Sequence, residues 1–229
     1  MRVLVTGATR GIGKAVCQKF KENNYTVLGV GTTQCKLDYV DEYLQCDFSD
    51  CVQLENFCSI IKDVDILVNN AGINIIDKFC DINPQDFSKV QQINLYAPFR
   101  ISQTVIPYMI KNGWGRIVNL SSVWGKISKE GRASYSASKF AIDGMTVAMA
   151  NEFASQGILC NSVSPGFIDT EMTWKNLKAS GVEKILQSVP IGRLAKVEEV
   201  ARLIYFLGTN ENTYISGQNI SIDGGFTRA

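Results

Sequence analysis

Apolar positions along the chain alternate between two periods. Arg2-Val3-Leu4-Val5-Thr6 is a short, β-branched run that ends at Gly7, and residues 12–23 then bring Ile12, Val16 and Phe20 onto one helical face. The order repeats, with Tyr25–Val30 and Tyr43–Cys46 reading as strands, Val52–Ile61 as a helix and Asp65–Val68 as a strand. Pro84–Lys111 reads as one long helix, Arg116–Leu120 as a strand, Ser134–Ser155 as a helix and Ile158–Val163 as a strand. Glu198–Leu207 and Gln218–Ile222 close the series as helix and strand. Strands alternating with helices predict a parallel sheet with right-handed crossovers. The expectation is an α/β fold: one doubly wound Rossmann domain over residues 1–229, with a parallel seven-stranded sheet and helices on both faces. Only about eleven residues separate Gly31 from Tyr43, which predicts a shortened crossover of at most one helical turn between the second and third strands.

Composition narrows the chemistry. With 229 residues, 45% of them apolar, the chain buries roughly 70% of the surface that it exposes when unfolded, so no disulfide or metal staple is required. The seven cysteines, at 17, 35, 46, 51, 58, 80 and 160, form no C-x-x-C pair, and there is no histidine to complete a zinc site, so reduced thiols and no metal are expected. The missing histidine excludes Ser-His-Asp and Cys-His catalysis and leaves proton transfer to Tyr, Lys, Asp, Glu or Cys. A formal charge of +1 gives no basic field for nucleic acid. No run approaches the roughly 18–20 apolar residues of a membrane span, and Met1 leads almost directly into a strand, so no membrane, no signal peptide and a cytoplasmic location are expected.

The turn after the first strand, Thr6-Gly7-Ala8-Thr9-Arg10-Gly11-Ile12-Gly13, opens the first helix. Glycines there permit positive φ and close approach of a pyrophosphate, and the helix start offers free N–H groups to the anion. A tight turn without a ligand is the plainer alternative. A triphosphate P-loop fits poorly, because Ala15 follows Gly13-Lys14 and Ala8 stands at the first glycine position. Tyr135 and Lys139 lie four apart at a helix start and therefore share a face. A fixed ammonium and the positive helix end would draw the phenol pKa toward neutrality and let Tyr135 act as acid or base, whereas an ordinary helix pair is the bland reading of the two residues alone.

The T-G-x-x-x-G-x-G spacing resembles the cofactor turn of the short-chain dehydrogenase/reductase family, and Asn69-Asn70-Ala71-Gly72, Tyr135 to Lys139 and Pro165-Gly166 continue the resemblance in order. The resemblance implies cofactor contacts at Gly7, Thr9, Arg10, Gly11, Ile12 and Gly13, at Asp47 toward the adenine, and at Asn70, Ala71 and Gly72. It extends them to Pro165, Gly166, the backbone of Ile168, and Thr170 on the nicotinamide carboxamide. It makes Tyr135 the general acid and Lys139 its tuner and ribose ligand. It also implies that Ser122, thirteen residues before Tyr135, rather than Ser121 holds the substrate oxygen. Asn94 matches the fourth catalytic residue, supporting a water chain from Lys139 to solvent, and it also fits a buried amide holding backbone at a helix irregularity. At the end of the second strand, Val30-Gly31-Thr32-Thr33 carries no acid to engage a ribose 2′-hydroxyl. Arg10 can meet a 2′-phosphate and Thr32 adds a hydroxyl, so NADP(H) is the expected cofactor.

Within that family the chain is most similar to the 3-oxoacyl-[acyl-carrier-protein] reductases, through Pro190-Ile191-Gly192-Arg193, Tyr214–Gln218 and Asp223-Gly224-Gly225. The resemblance implies reduction of a ketone, a 3-oxoacyl thioester or a sugar, polyol or other small ketone, by a homotetramer or homodimer. Asn112-Gly113-Trp114 and Gln156, where a basic carrier-protein dock is expected beside the cleft, weaken the carrier-bound reading. Trp124, Lys126, Lys129 and Arg132 between Ser122 and Tyr135 suggest an anionic substrate or partner, with solvated surface charge as the alternative. Lys175, Lys178 and Lys184 extend that basic character into Glu171–Pro190, which has the Met172, Trp174, Leu177 and Leu186 spacing of a lid. A non-catalytic dinucleotide-binding regulator would not need the Tyr/Lys pair, and an epimerase would need a further substrate domain.

Overall fold

The computed structural model describes the backbone of residues 1–229 and the side chains of all but residues 176–180. Seven strands form one sheet: β1 (Arg2–Thr6), β2 (Thr26–Gly31), β3 (Glu42–Gln45), β4 (Ile66–Asn69), β5 (Gly115–Leu120), β6 (Ile158–Pro165) and β7 (Asn219–Ile222). Their spatial order is β3-β2-β1-β4-β5-β6-β7, and every neighbouring pair is parallel. The order reverses between β1 and β4, which opens a crevice at the carboxyl ends of those strands.

The helices are α1 (Gly11–Glu22), α2 (Cys51–Ile60), α3 (Pro84–Gln91), α4 (Ala97–Asn112), α5 (Ala133–Phe153), α6 (Glu171–Leu186) and α7 (Val197–Gly208). Strand alternation sends Val3 and Val5 to one face of the sheet and Leu4 to the other. Val3 and Val5 pack with Val16 and Phe20 of α1 and Val200 and Ile204 of α7. Leu4 packs with Leu54 and Phe57 of α2, Ile101 and Met109 of α4 and Met149 of α5. The doubly wound seven-stranded arrangement therefore matches the expectation.

One expected element differs in detail. The single long helix over Pro84–Lys111 is divided into α3 and α4 by a π-helical segment, Gln92–Tyr96, with Asn94 buried inside it. The extra residue in that turn directs the Asn94 amide onto the backbone of Ile73, a contact that a regular ladder would not place there. The β2–β3 connection is shortened as expected and contains no helix. It is held instead by Tyr43 Oη donating to the Thr33 carbonyl (2.6 Å) and Gln45 Nε2 donating to the Thr32 carbonyl (3.0 Å). All seven cysteines are free thiols.

The first turn is set by one backbone contact. A Cβ added to Gly13 would lie 2.1 Å from the Gly7 carbonyl oxygen. Gly13→Ala is expected to cost several kcal/mol and to abolish a cooperative urea transition, because neither backbone segment can retreat. Asp63, exposed at φ 55°, gives the opposite case: Asp63→Gly relieves a left-handed conformation and should stabilise by less than about 1 kcal/mol in the same measurement.

Candidate active site

The crevice is a cleft of about 380 Å³ at the carboxyl ends of β1, β4, β5 and β6. Its floor is the glycine turn. Gly7 (φ 69°) and Gly11 (φ 56°) adopt left-handed backbone that a side chain would strain. Arg10, at the N-cap of α1, provides no side-chain cap, so the first-turn N–H groups remain free for an anion. Gly7, Thr9, Arg10, Gly11 and Ile12 line the cleft. Gly13 lies behind the turn and lets it pack against the helix start.

A hydrogen-bonded knot joins the ends of β1 and β4. Thr6 Oγ1 accepts from the backbone N–H of Asn70 and of Ala71, both at 2.9 Å. Asn70 Nδ2 donates back to the carbonyls of Thr6 (2.8 Å) and Gly7 (3.2 Å). Asn70, Ala71 and Gly72 thus face the cleft with fixed backbone. The next layer is also polar: Asn69 Nδ2 donates to Asn119 Oδ1 (2.8 Å), and Asn119 Nδ2 donates to Thr146 Oγ1 (2.9 Å), so the end of β5 is tied to α5.

Ser122, Tyr135 and Lys139 converge on the far wall. Ser122 Oγ accepts from the Trp124 N–H (3.2 Å), which leaves its own proton free beside Tyr135 in the cleft wall. Ser121 Oγ instead donates to the Lys139 carbonyl at 3.1 Å. Lys139 is 4% exposed; its Nζ donates to the Leu120 carbonyl (2.5 Å) and lies 5.6 Å from the Tyr135 ring centroid. Burial pulls its pKa down from 10.5 to about 8, with the Asp143 carboxylate acting the other way. Burial raises the Tyr135 pKa above its ordinary value, although the residue keeps some exposure to the cleft, and Ser122 and the Arg132 charge oppose the rise. The expected lowering by Lys139 is therefore not what this structure gives, because the ammonium is directed at Leu120 O and desolvation dominates.

Pro165, Gly166, Ile168 and Thr170 close the opposite side of the cleft. Gly166 is needed for packing, since a Cβ there would meet Asp223 Cα at 2.8 Å. Thr170 caps α6, accepting from the Thr173 N–H at 3.3 Å. Thr32 and Asp47 line the other end, and Asp47 Oδ1 accepts from the N–H (2.9 Å) and hydroxyl (2.8 Å) of Ser49. Arg10 pairs with Glu171 at 3.3 Å across the mouth; both side chains are largely exposed, so the pair holds weakly. Asn94 does not line the cleft. It clamps Ile73 N and O at 2.9 Å each and donates to Ser138 Oγ (3.1 Å).

A family model described as enoyl-(acyl carrier protein) reductase matches residues 7–227. The 3-oxoacyl-[acyl-carrier-protein] reductase of Thermotoga maritima is 39% identical over 97% of this chain and 96% of its own length. The chain belongs to the short-chain dehydrogenase/reductase family. Among solved structures, a putative NAD(P)-dependent gluconate 5-dehydrogenase from Beutenbergia cavernae with bound NADP is 29% identical, with a TM-score of 0.94 over 100% of this chain and 97% of that one. A 4-hydroxyisoleucine dehydrogenase complexed with NADH is 31% identical, with a TM-score of 0.94 over 100% and 99%.

Against this short-chain dehydrogenase/reductase frame, several side chains lie elsewhere than the sequence suggested. Lys126 Nζ donates to the Asn219 carbonyl (2.6 Å), away from the cleft, and Arg132 is buried rather than solvated. Of the lid residues, Met172 lines the cleft, whereas Trp174 Nε1 is held by Asp169 Oδ1 at 2.7 Å; the Leu177 and Lys178 side chains lie outside the described residues. Asn112-Gly113-Trp114 stands at the start of β5 and Gln156 just before β6, the sheet end opposite this cleft, so neither bears on what docks at the cleft of the same chain. Phe48, Ile73 and Ile93 also line the cleft. Their apolar character marked them only as core, and Phe48 and Ile93 are in fact core residues as well. Among the described residues there is no cluster of three or more candidate metal ligands, and no helix is long and apolar enough to cross a membrane.

Lys139 gives a test of the electrostatics. Lys139→Met removes a buried cation and is expected to stabilise the fold at pH 7 by about 1–3 kcal/mol. The gain should be largest below pH 8, where folded and unfolded Lys139 are both charged. It should fade toward pH 10.5, where only the unfolded state still binds the proton and wild-type stability rises with pH. Urea titrations of both proteins between pH 6 and 10.5 check this.

Proposed function

We propose that this protein is an NADP(H)-dependent reductase that converts a ketone to a secondary alcohol, with a 3-oxoacyl thioester as the first substrate class to examine. The observation that carries the reading is the convergence of Ser122, Tyr135 and Lys139 in the same cleft as the uncapped, glycine-built start of α1. The free N–H groups of that turn fit a pyrophosphate. The glycine turn, Asn70–Gly72, Asp47 and Pro165–Thr170 would hold the rest of the dinucleotide, with Thr32 and Arg10 at the 2′-phosphate and Tyr135 and Lys139 at the ribose. When bound, NADPH supplies the hydride.

At the substrate, the free Ser122 O–H donates to the carbonyl oxygen and Tyr135 delivers the proton that oxygen needs as the alcohol forms. The raised Tyr135 pKa supports the acid role, because it keeps the phenol protonated at neutral pH. Lys139 holds a positive charge under the ring, and Asn94 positions the Ile73 loop and, through Ser138, the first turn of α5. Arg10 exchanges its exposed Glu171 partner for a phosphate at little cost. NADP in one structural relative and NADH in another leave the family permissive, so the preference rests on Arg10, Thr32 and the missing acid after β2. Exposed Tyr96, Phe99, Phe140 and Val147 on and beside α4 and α5 support a homotetramer or homodimer, and no helix among the described residues is long and apolar enough to cross a membrane. The names gluconate 5-dehydrogenase and 4-hydroxyisoleucine dehydrogenase support a second reading, a small sugar-derived or hydroxy-acid substrate.

NADPH oxidation with a carrier-free 3-oxoacyl thioester tests the main reading, with the matching enoyl thioester as the control for double-bond reduction. Tyr135→Phe is expected to lower kcat by about 10³-fold or more while NADPH affinity stays nearly constant; retained turnover removes the mechanism. Arg10→Ala should raise KM for NADPH about tenfold and leave KM for NADH within about twofold, and equal effects on both would remove the 2′-phosphate assignment. Alcohol oxidation, which needs the phenolate, should accelerate as pH rises above neutrality, and a flat profile would contradict the raised Tyr135 pKa.

A further inference from the structure

Two cations share one tryptophan ring beside this site and have no anion. Trp124, two residues after Ser122, is 8% exposed and packs edge-on against Phe167 and Phe226, with centroids 6.2 and 6.0 Å away. Lys129 Nζ lies 5.2 Å from the Trp124 centroid and the Arg132 guanidinium carbon 5.8 Å. Arg132 is only 6% exposed, and its buried Nε has no hydrogen-bond partner among the described groups. None of the described ion pairs includes either cation. Burial and the Arg132 charge together push the Lys129 pKa down, and burial lowers that of Arg132.

Three terms act against this arrangement at once. One guanidinium nitrogen, Nε, is buried without an acceptor, the charge repels the neighbouring ammonium, and it stands at the N-cap of α5, where the helix dipole favours negative charge. Cation–π contact with Trp124 offsets only part of this. A single anion relieves all three. It would sit close behind the cleft wall, since Trp124 stands two residues after Ser122, and Arg132 at the N-cap of α5 shares a helical face with Tyr135 three residues on, although neither cation lines the cleft itself.

We infer that Arg132, assisted by Lys129 and the start of α5, is an anion subsite at the substrate end of the cleft, and that the ketone reduced here carries a carboxylate close to its carbonyl. The planar guanidinium fork matches a two-oxygen carboxylate. The inference rests on the ketone-reducing reading of the cleft, and its test is separable from that reading.

The experiment uses the whole protein, NADPH, and methyl ketones bearing a carboxylate one to four methylenes from the carbonyl, each beside its methyl ester. At one chain length the acid should exceed its ester in kcat/KM by about 10–100-fold, mostly through KM. Arg132→Gln should bring that ratio to within about threefold of one, and Arg132→Lys, which keeps the charge without the fork, should leave it intermediate. The ratio is decisive because a folding defect, or an effect through Tyr135, lowers acid and ester together. A wild-type ratio near one, or a ratio that survives Arg132→Gln, overturns the subsite. If thioesters, acids and esters all fail to oxidise NADPH, the reduction reading falls, and melting temperature with NADPH present decides the subsite alone. A rise with the acid in wild type but not in Arg132→Gln supports it, and no rise in wild type overturns it. A change of oligomeric state in Arg132→Gln, measured by light scattering, would assign the anion to a second copy and overturn the inference as well.

Discussion

The structure hangs on the hydrogen-bond knot between the ends of β1 and β4. At a topological switch point two adjacent strands send their connections to opposite faces, so nothing in the sheet ladder itself holds the two carboxyl ends in register beyond the last paired residues. Thr6 Oγ1 and the Asn70 amide supply that constraint with four hydrogen bonds across a sequence separation of about sixty residues. The glycine turn on one side and Ala71-Gly72 on the other become rigid walls of the cleft as a result. The tolerance is narrow: Gly7 and Gly13 approach so closely that only hydrogen fits between them.

A second feature of the cleft is the burial of charge that the fold does not neutralise. Lys139 has carbonyl oxygen and distant Asp143 for company, and Arg132 has an aromatic ring. Both positions lie within a few residues of Tyr135, and both would be more comfortable as apolar side chains if stability alone were at stake. Arg116, at the other end of the sheet, is also buried without a carboxylate, but there three carbonyl oxygens and the Trp114 ring accept its guanidinium. Around the cleft, the polar network of Asn69, Asn119 and Thr146 keeps the supporting backbone from relaxing away from the charges near Tyr135.

Much of this was legible in the chain. The alternation of β-branched runs with amphipathic helices depends on local periodicity, and it located all seven strands within a residue or two. The glycine turn, Tyr135 with Lys139, and Asn70–Gly72 were readable because short spacings of particular residue types carry their geometry with them. The break at Gln92–Tyr96 was not, because a π turn leaves the hydrophobic stripe almost unchanged. Lys126, Lys129 and Arg132 looked alike as a basic loop, and only the fold separates them: one is tied to β7, and two lie on Trp124.

The sequence by itself determined the fold class, the parallel sheet, the cofactor-type turn and the exclusion of histidine catalysis and histidine-ligated metals, since these follow from local spacing and from composition. Tertiary structure alone decided which serine keeps a free proton, which way Tyr135 and Lys139 titrate, and which of the basic residues is buried against Trp124. Those properties depend on solvent exposure and on partners tens of residues away. No local pattern encodes them, because burial and through-space charge exist only once the chain has closed around the cleft.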